Sequence, residues 1–241
     1  MNLQKASINK IIPAMRQPIQ AYAEQVALLA GDNIIGLVFF GAISTSHFDP
    51  KRHSAQNVFI LHEIDLNMLR ALAKLGAKMG KANIAAPLIM TPSLIRSSLD
   101  TFALELLEIV QCHIHIMGED SFSELAFEQK YIRLQCEREL KAIAIGMRQG
   151  LLAVAGREKL FAGLSTESAT RLMRTLRGML WLKGAKEGLP EVEVITQLET
   201  MTGYPLVGVR NAINVATPYD WEAFKTLYAD VEMLGKNVDQ W

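Results

Sequence analysis

Apolar positions in the first 30 or so residues recur with helical spacing. Ile8, Ile11, Ile12, Met15, Ile19, Tyr22, Val26 and Leu29 follow a 3.6-residue period. Pro13 and Pro18 predict a kink or a split into two short helices, because proline removes a backbone donor and crowds the turn before it. After Gly31-Asp32-Asn33 the rhythm changes. Ile34-Ile35-Gly36-Leu37-Val38-Phe39-Phe40 is apolar almost throughout, the pattern of a strand buried on both faces, and it stops at Gly41. A polar loop over 44–54 leads to a second apolar run, Val58-Phe59-Ile60-Leu61. Asp65 then reads as the N-cap of an amphipathic helix reaching about Lys78. Ile84–Met90, broken by Pro87, predicts an edge strand. Thr91-Pro92 predicts a short helix with threonine as cap and proline at its first position. Thr101–Met117 is read as a long, bent fourth strand closed by Gly118-Glu119-Asp120.

From about Gln129 the two-residue alternation disappears. Four or five helices are expected, roughly Gln129–Ala155, Ser165–Lys183, Pro190–Thr202, Pro205–Asn214 and Pro218–Val238. The predicted class is therefore α+β or α/β: an N-terminal mixed sheet with helices over 1–128, followed by an all-α helical bundle over 129–241.

Composition narrows the function. Of the 241 residues, 50% are hydrophobic and 21% charged, which excludes a disordered chain. The 25 basic and 25 acidic residues balance to zero, unlike a dedicated nucleic-acid binder, although a local basic patch remains compatible. Two cysteines, Cys112 and Cys136, make no disulfide framework. No signal peptide and no membrane-spanning run is visible, so the cytoplasm is the expected compartment.

Common chemical motifs are missing: no Walker A loop, no Gly-x-Gly-x-x-Gly, no Gly-x-Ser-x-Gly and no Cys-x-x-Cys. His113 and His115 share one face of a strand, but a zinc site needs three or four ligands. Hydrogen bonds to neighbours account for them more simply. Glu105 and Glu108, read on a strand, would face opposite sides, so one would point to the interior or a cleft. Arg133, Glu137 and Lys141 sit at i, i+4 and i+8, the spacing of an ion-pair stripe. Trp181 with Met173, Leu176 and Leu180 reads as a helix core stripe.

One ordered set of segments carries a resemblance. Phe39-Phe40-Gly41-Ala42 ends a strand, a loop with Phe48-Asp49-Pro50-Lys51-Arg52 follows, and Ser54-Ala55-Gln56-Asn57 leads into Val58-Phe59-Ile60-Leu61. Pro92-Ser93-Leu94-Ile95, Phe102-x-Leu104-Glu105, Met117-Gly118-Glu119-Asp120 and the helix start Arg133–Leu140 continue the series. Together they resemble the nucleotidyltransferase superfamily, the polymerase-beta-like fold that includes kanamycin nucleotidyltransferase. In that family an apolar strand ends in Gly-Ser, and a loop leads to Ser-Asp-x-Asp at the head of a second strand. The two aspartates hold two magnesium ions. The resemblance implies transfer of a nucleoside monophosphate from an NTP to a hydroxyl, a third carboxylate at Glu105, and dimers or helical partners.

This chain departs from the motif at the chemical positions. Gly41-Ala42 replaces Gly-Ser, and Ala55-Gln56-Asn57 replaces Asp-x-Asp. Asn57 is neutral and a poor magnesium ligand. Glu63-Ile64-Asp65 has the acid spacing but follows its strand, and Asp65 has work as a helix cap. The expected site is therefore Gly41, Ala42, Lys51, Arg52, Ser54 and Asn57 for a nucleotide, with Glu105 as a catalytic candidate and no metal ligands. The leading expectation is a binding protein for a nucleotide, small molecule or protein partner that has lost catalysis and requires no cofactor. An active enzyme using magnesium and NTP, and a structural homodimer, are the rivals. Restoring aspartate at 55 and 57 is expected to create a divalent-metal site.

Overall fold

The computed structural model describes residues 3–45, 48–50, 53–154, 157, 161–214 and 220–241, with backbone alone at 5, 161, 162, 166, 167 and 170. The chain divides into two compact units. One comprises Met1–Phe102 and Leu106–Ala126, the other Ala103–Glu105 and Phe127–Trp241.

The first unit begins with α1 (Lys5–Ile8) and α2 (Pro13–Ala30). The break falls at Pro13, which opens α2 where its missing N–H would be unpaired anyway. Pro18, by contrast, is absorbed inside α2. The bond it forgoes would go to Ala14, an exposed residue, and α2 continues through it without a second break.

Among the described residues four strands follow: β1 (Ile34–Phe40), β2 (Gln56–Leu61), β3 (Leu88–Met90) and β4 (His113–Gly118). They form one sheet in the order β3-β2-β1-β4. β1 is antiparallel to β2 and β4, and the short edge strand β3 is parallel to β2. All seven residues of β1 are buried, as its unbroken apolar run predicts.

Between β2 and β3 lie α3 (Leu66–Ala73) and α4 (Gly76–Lys81), where the sequence suggested one helix. Asp65 does cap α3, its Oδ1 accepting the Asn67 N–H at 2.8 Å. Thr91 likewise caps α5 (Pro92–Ser97), accepting the Leu94 N–H at 3.1 Å. On one face of the sheet, Leu37, Phe39, Phe59, Leu61, Ile114 and Ile116 share a core with Ile19, Tyr22, Ala23 and Val26 of α2 and with Met68 and Leu72 of α3. Each large side chain there contributes about 1.5–3 kcal/mol by leaving water.

The long fourth strand is corrected. Ala103–Gln111 is a helix, α6, and only His113–Gly118 is strand. Ala103, Leu104, Leu106, Leu107 and Ile109 are buried, while Glu105, Glu108 and Gln111 recur every three residues on a half-buried face, the helical period that a strand reading of this apolar run overlooks. Its start also lacks a local cap: Phe102 makes no side-chain capping bond. The Leu104 N–H instead donates to Gln135 Oε1 at 3.0 Å, 31 residues further on. As a consequence Glu105 and Glu108 share a helical face and do not straddle a strand.

The second unit is helical: α7 (Gln129–Ala153), α8 (Phe161–Leu182), α9 (Glu191–Thr202), α10 (Val207–Ile213) and α11 (Trp221–Asp239). α7 packs on α8 and α11, and α10 packs on α8 and α11. Ile132, Cys136, Leu140, Ile143 and Met147 form the buried stripe of α7. Met173, Leu176, Leu180 and Trp181 are buried on α8, as read from their spacing. Arg133 and Lys141 both reach Glu137, at 3.2 and 2.5 Å, the ion-pair stripe of the sequence reading.

Asp230 is the buried acid of this unit, 1% exposed, and accepts the Val209 N–H at 3.0 Å. Burial pushes its carboxyl up to about 6, outweighing the N–H groups of Val209 and Gly208 that favour the anion. A folded-state value above the unfolded one means protonation favours folding. Its stabilising contribution is complete below about pH 4 and lost as pH rises through about 6. Asp230→Asn is expected to unfold at higher temperature than wild type at pH 7, by roughly 1–2 kcal/mol, with the advantage shrinking towards pH 4. Paired thermal melts across that range measure it.

Two glycines separate sterics from backbone freedom. Gly118 has φ 81°, and a Cβ there would overlap the Ile35 carbonyl oxygen of the neighbouring strand. Gly31 has φ 54°, yet a Cβ there meets nothing. Gly31→Ala is expected to cost about 1 kcal/mol, and Gly118→Ala roughly 3 kcal/mol or more, in denaturant unfolding.

Candidate functional site

β1 ends in a 3₁₀ turn over Gly41–Ser44. Gly41 takes φ 72°, a left-handed conformation that side-chain-bearing residues rarely adopt. Its N–H donates to the Cys112 carbonyl at 2.8 Å, which ties the turn to the residue before β4. The Ser44 hydroxyl donates to the Gly41 carbonyl, and the Thr45 hydroxyl to the Ala42 carbonyl, each at 2.8 Å. Ala42 itself brings no hydroxyl and packs partly against the core. Thus the two hydroxyls nearest the turn are spent on its backbone.

β2 runs antiparallel beside this turn, pairing Phe40 with Gln56 and Phe39 with Asn57. A Cβ on Gly41 would lie 3.3 Å from Gln56 Oε1, so the Gln56 amide covers the glycine. Alternation along a strand then assigns the faces. Gln56, Val58 and Ile60 share the side that looks towards the Gly41 turn. Ala55, Phe59 and Leu61 belong to the core beneath α2, and Asn57 shares their side.

Asn57 is 1% exposed, and its polar atoms are satisfied inside that core. Its Oδ1 accepts the Tyr22 hydroxyl at 3.0 Å, and its Nδ2 donates to the Ala85 carbonyl at 2.9 Å. Burial pushes the Tyr22 phenol up, so it stays protonated and keeps donating. Asn57, an expected nucleotide contact, has its side chain turned into the core, where Tyr22 and the Ala85 carbonyl hold it. Gln56 is the side chain that sequence reasoning missed. The only signal was its position as the polar residue opening an apolar run.

The other expected residues are placed as follows. Ser54 is exposed, and its hydroxyl donates to Asn83 Oδ1 at 3.2 Å. Asn83, itself at φ 57°, donates to the Pro50 and His53 carbonyls and so pins the loop before β2. Lys51 and Arg52 lie outside the described residues. Glu105 belongs with the helical unit, where Arg174 Nη1 meets its Oε1 at 3.0 Å.

His113 and His115 are held by neighbours, as the sequence suggested. His113 meets the Ile109 carbonyl at 2.9 Å and Asp120 Oδ2 at 3.1 Å, while His115 Nδ1 meets Gln4 Nε2 at 2.9 Å. Burial works to raise the Asp120 carboxyl, but the Phe122 N–H and His113 outweigh it and hold it below the usual range. Among the described residues no group of three or more His, Cys, Asp or Glu side chains converges as a metal site.

A mixed four-stranded sheet in this order, with its helices and the helical region after it, is a nucleotidyltransferase-like α+β fold. A solved structure with the same fold is spectinomycin adenyltransferase AAD(9) from Enterococcus faecialis, determined with ATP and spectinomycin. It aligns with a TM-score of 0.58 at 10% identity, over 92% of this chain and 99% of that one. No protein-family model matches the sequence, and no curated protein matches it either. Among the described residues no helix is long and apolar enough to cross a membrane.

Aspartates at 55 and 57 would enter the core, and a carboxylate at 57 would face the Ala85 carbonyl where an amide N–H now donates. Ala55→Asp with Asn57→Asp is expected to destabilise by about 3–5 kcal/mol through uncompensated buried charge. Gln56→Asp, at an exposed position, is expected to change stability by less than about 1 kcal/mol. Denaturant midpoints distinguish the two.

Proposed function

We propose that the α/β part of this protein binds a nucleoside phosphate at the Gly41 turn without transferring a nucleotidyl group. The observation that carries this reading is the neutral Gln56 amide over Gly41, with Val58 and Ile60 beside it and no carboxylate on that face of β2. An amide accepts and donates hydrogen bonds but supplies no anionic ligand for magnesium. Val58, the next residue on that face, is apolar and fully buried. The Gly41–Ser44 backbone would serve the phosphates, with Lys51 and Arg52 supplying positive charge from the adjoining loop. Glu105, neutralised by Arg174, is a helix-packing residue in this reading.

The rival reading is metal-dependent transfer to a hydroxyl. The fold shared with an adenyltransferase solved with ATP and spectinomycin is what favours it. Thermal unfolding with ATP, with and without magnesium, separates the two. At about 100 times its dissociation constant ATP should add roughly 2.7 kcal/mol, a rise of several degrees for a chain this size. The proposal expects that rise with EDTA present, and no pyrophosphate release when magnesium and spectinomycin are added. A rise that requires magnesium, or release of pyrophosphate, establishes the rival. No rise with any nucleotide removes the nucleotide site.

A further inference from the structure

The α2 side of the sheet carries a concavity. Between α2, α4 and the start of the β3 connection lies a cleft of about 220 Å³. Pro18, Ala21, Tyr22, Met79 and Ile84 give it apolar walls. For scale, an apolar cavity of roughly 150 Å³ accepts benzene, so a two-ring compound is within range here. Tyr22 forms one wall, and its hydroxyl is the group already committed to Asn57. That leaves a floor whose polar atoms are internally satisfied and whose ring is available for contact.

The polar groups of the cleft are two neutral amides and one cation. With Ala82, Gln17, Gln25 and Lys78 complete the lining, and none of them is an acid. Lys78 is exposed and has no ion-pair partner among the described residues. The segment 66–99 contains Arg70, Lys74, Lys78, Lys81 and Arg96 and not one aspartate or glutamate, although the whole chain is neutral. Arg70, Lys74 and Lys78 recur every four residues through α3 and α4, and all are exposed. The one acid of α2, Glu24, does not line the cleft and accepts from Gln20 Nε2 at 3.0 Å. An unneutralised ammonium at the mouth of an apolar cleft, with a one-sign field behind it, favours a ligand with an apolar body and an anionic end.

We infer that the α2–α4 cleft is a binding site for a small aromatic or branched aliphatic carboxylate. Its body lies against Tyr22, Met79 and Ile84, and its carboxylate pairs with Lys78 while the Gln17 and Gln25 amides offer further donors. The site is separate from the Gly41 turn and stands or falls independently of any nucleotide. Its occupant would rest on the residue that holds Asn57, and hence on the strand that carries Gln56.

The test titrates full-length protein with naphthalene-2-carboxylate and, in parallel, with the neutral naphthalene-2-carboxamide, followed by amide NMR shifts. The expected result is saturable binding of the carboxylate with a Kd of about 1 mM or tighter, shifting Ala21 and Ile84 amides. The carboxamide should bind about tenfold more weakly. Lys78→Glu should weaken the carboxylate about tenfold or more, and Ala21→Trp, which fills the cleft from a half-buried position, should abolish binding with the unfolding midpoint retained. Lys74→Glu, in the turn between α3 and α4 and outside the lining, should change affinity by less than about twofold. Equal binding of the two probes, an Ala21→Trp variant that still binds, or no saturation at several millimolar overturns the proposal. So does a Lys74→Glu loss as large as that of Lys78→Glu, which would mark diffuse attraction of anions to the basic stripe.

Discussion

The hydrogen bonds of one buried amide fix which way β2 faces. Ala85 offers only a carbonyl, so the Asn57 Nδ2 must point to it, and Oδ1 is left for the Tyr22 hydroxyl. With Asn57 locked beneath the sheet, the two-residue period of the strand places Gln56 over Gly41 and Phe59 in the core. A slip of one residue would carry Gln56 into the core and turn Phe59 and Leu61 to the other face. Tyr22 also packs edge-on to Phe39 of β1, so the same side chain braces both central strands. The polar link is tolerable in an apolar layer because every one of its members has a partner.

The chemistry available at the Gly41 turn follows from this arrangement. The turn's hydroxyls, Ser44 and Thr45, serve its own carbonyls, and the nearest side chain across the strand is a neutral amide. Among the described residues the turn therefore presents hydrogen-bonding groups, and the β2 side chain over it carries no charge. The basic α3–α4 segment on the other side of the unit concentrates the charge that the net balance of zero conceals. The chemistry of this chain depends on which face each residue occupies, and fold alone leaves that open.

Local signals made much of the architecture legible. The unbroken apolar run announced β1, Asp65 and Thr91 announced the starts of α3 and α5, and Pro87 marked an edge. The change of grammar near Gln129 announced the helical region, and the segments around Gly41 and Ser54 carried the fold resemblance. What was missed depends on partners distant in sequence. The Leu104 N–H at the start of α6 donates to Gln135, 31 residues further on, so no local cap marks the helix and its apolar run resembles a strand. The faces of β2 were hidden because Val58–Leu61 is apolar at every position and offers no alternation. Asn57 looked like a loop-facing remnant of a metal motif, since its partner Tyr22 lies 35 residues earlier. The unpaired Lys78 beside an apolar cleft had no local motif at all.

The inward, doubly hydrogen-bonded Asn57 amide is the claim on which the site assignment rests. Hydrogen exchange of its side-chain NH₂ protons, measured by NMR against the exposed Gln17 side chain in the same sample, addresses it directly. The structure predicts exchange far slower than at Gln17, and no change in either the rate or the shift when ATP and magnesium are added. Exchange as fast as at Gln17, or a shift that saturates with ATP, would contradict it and return Asn57 to the nucleotide side of the strand.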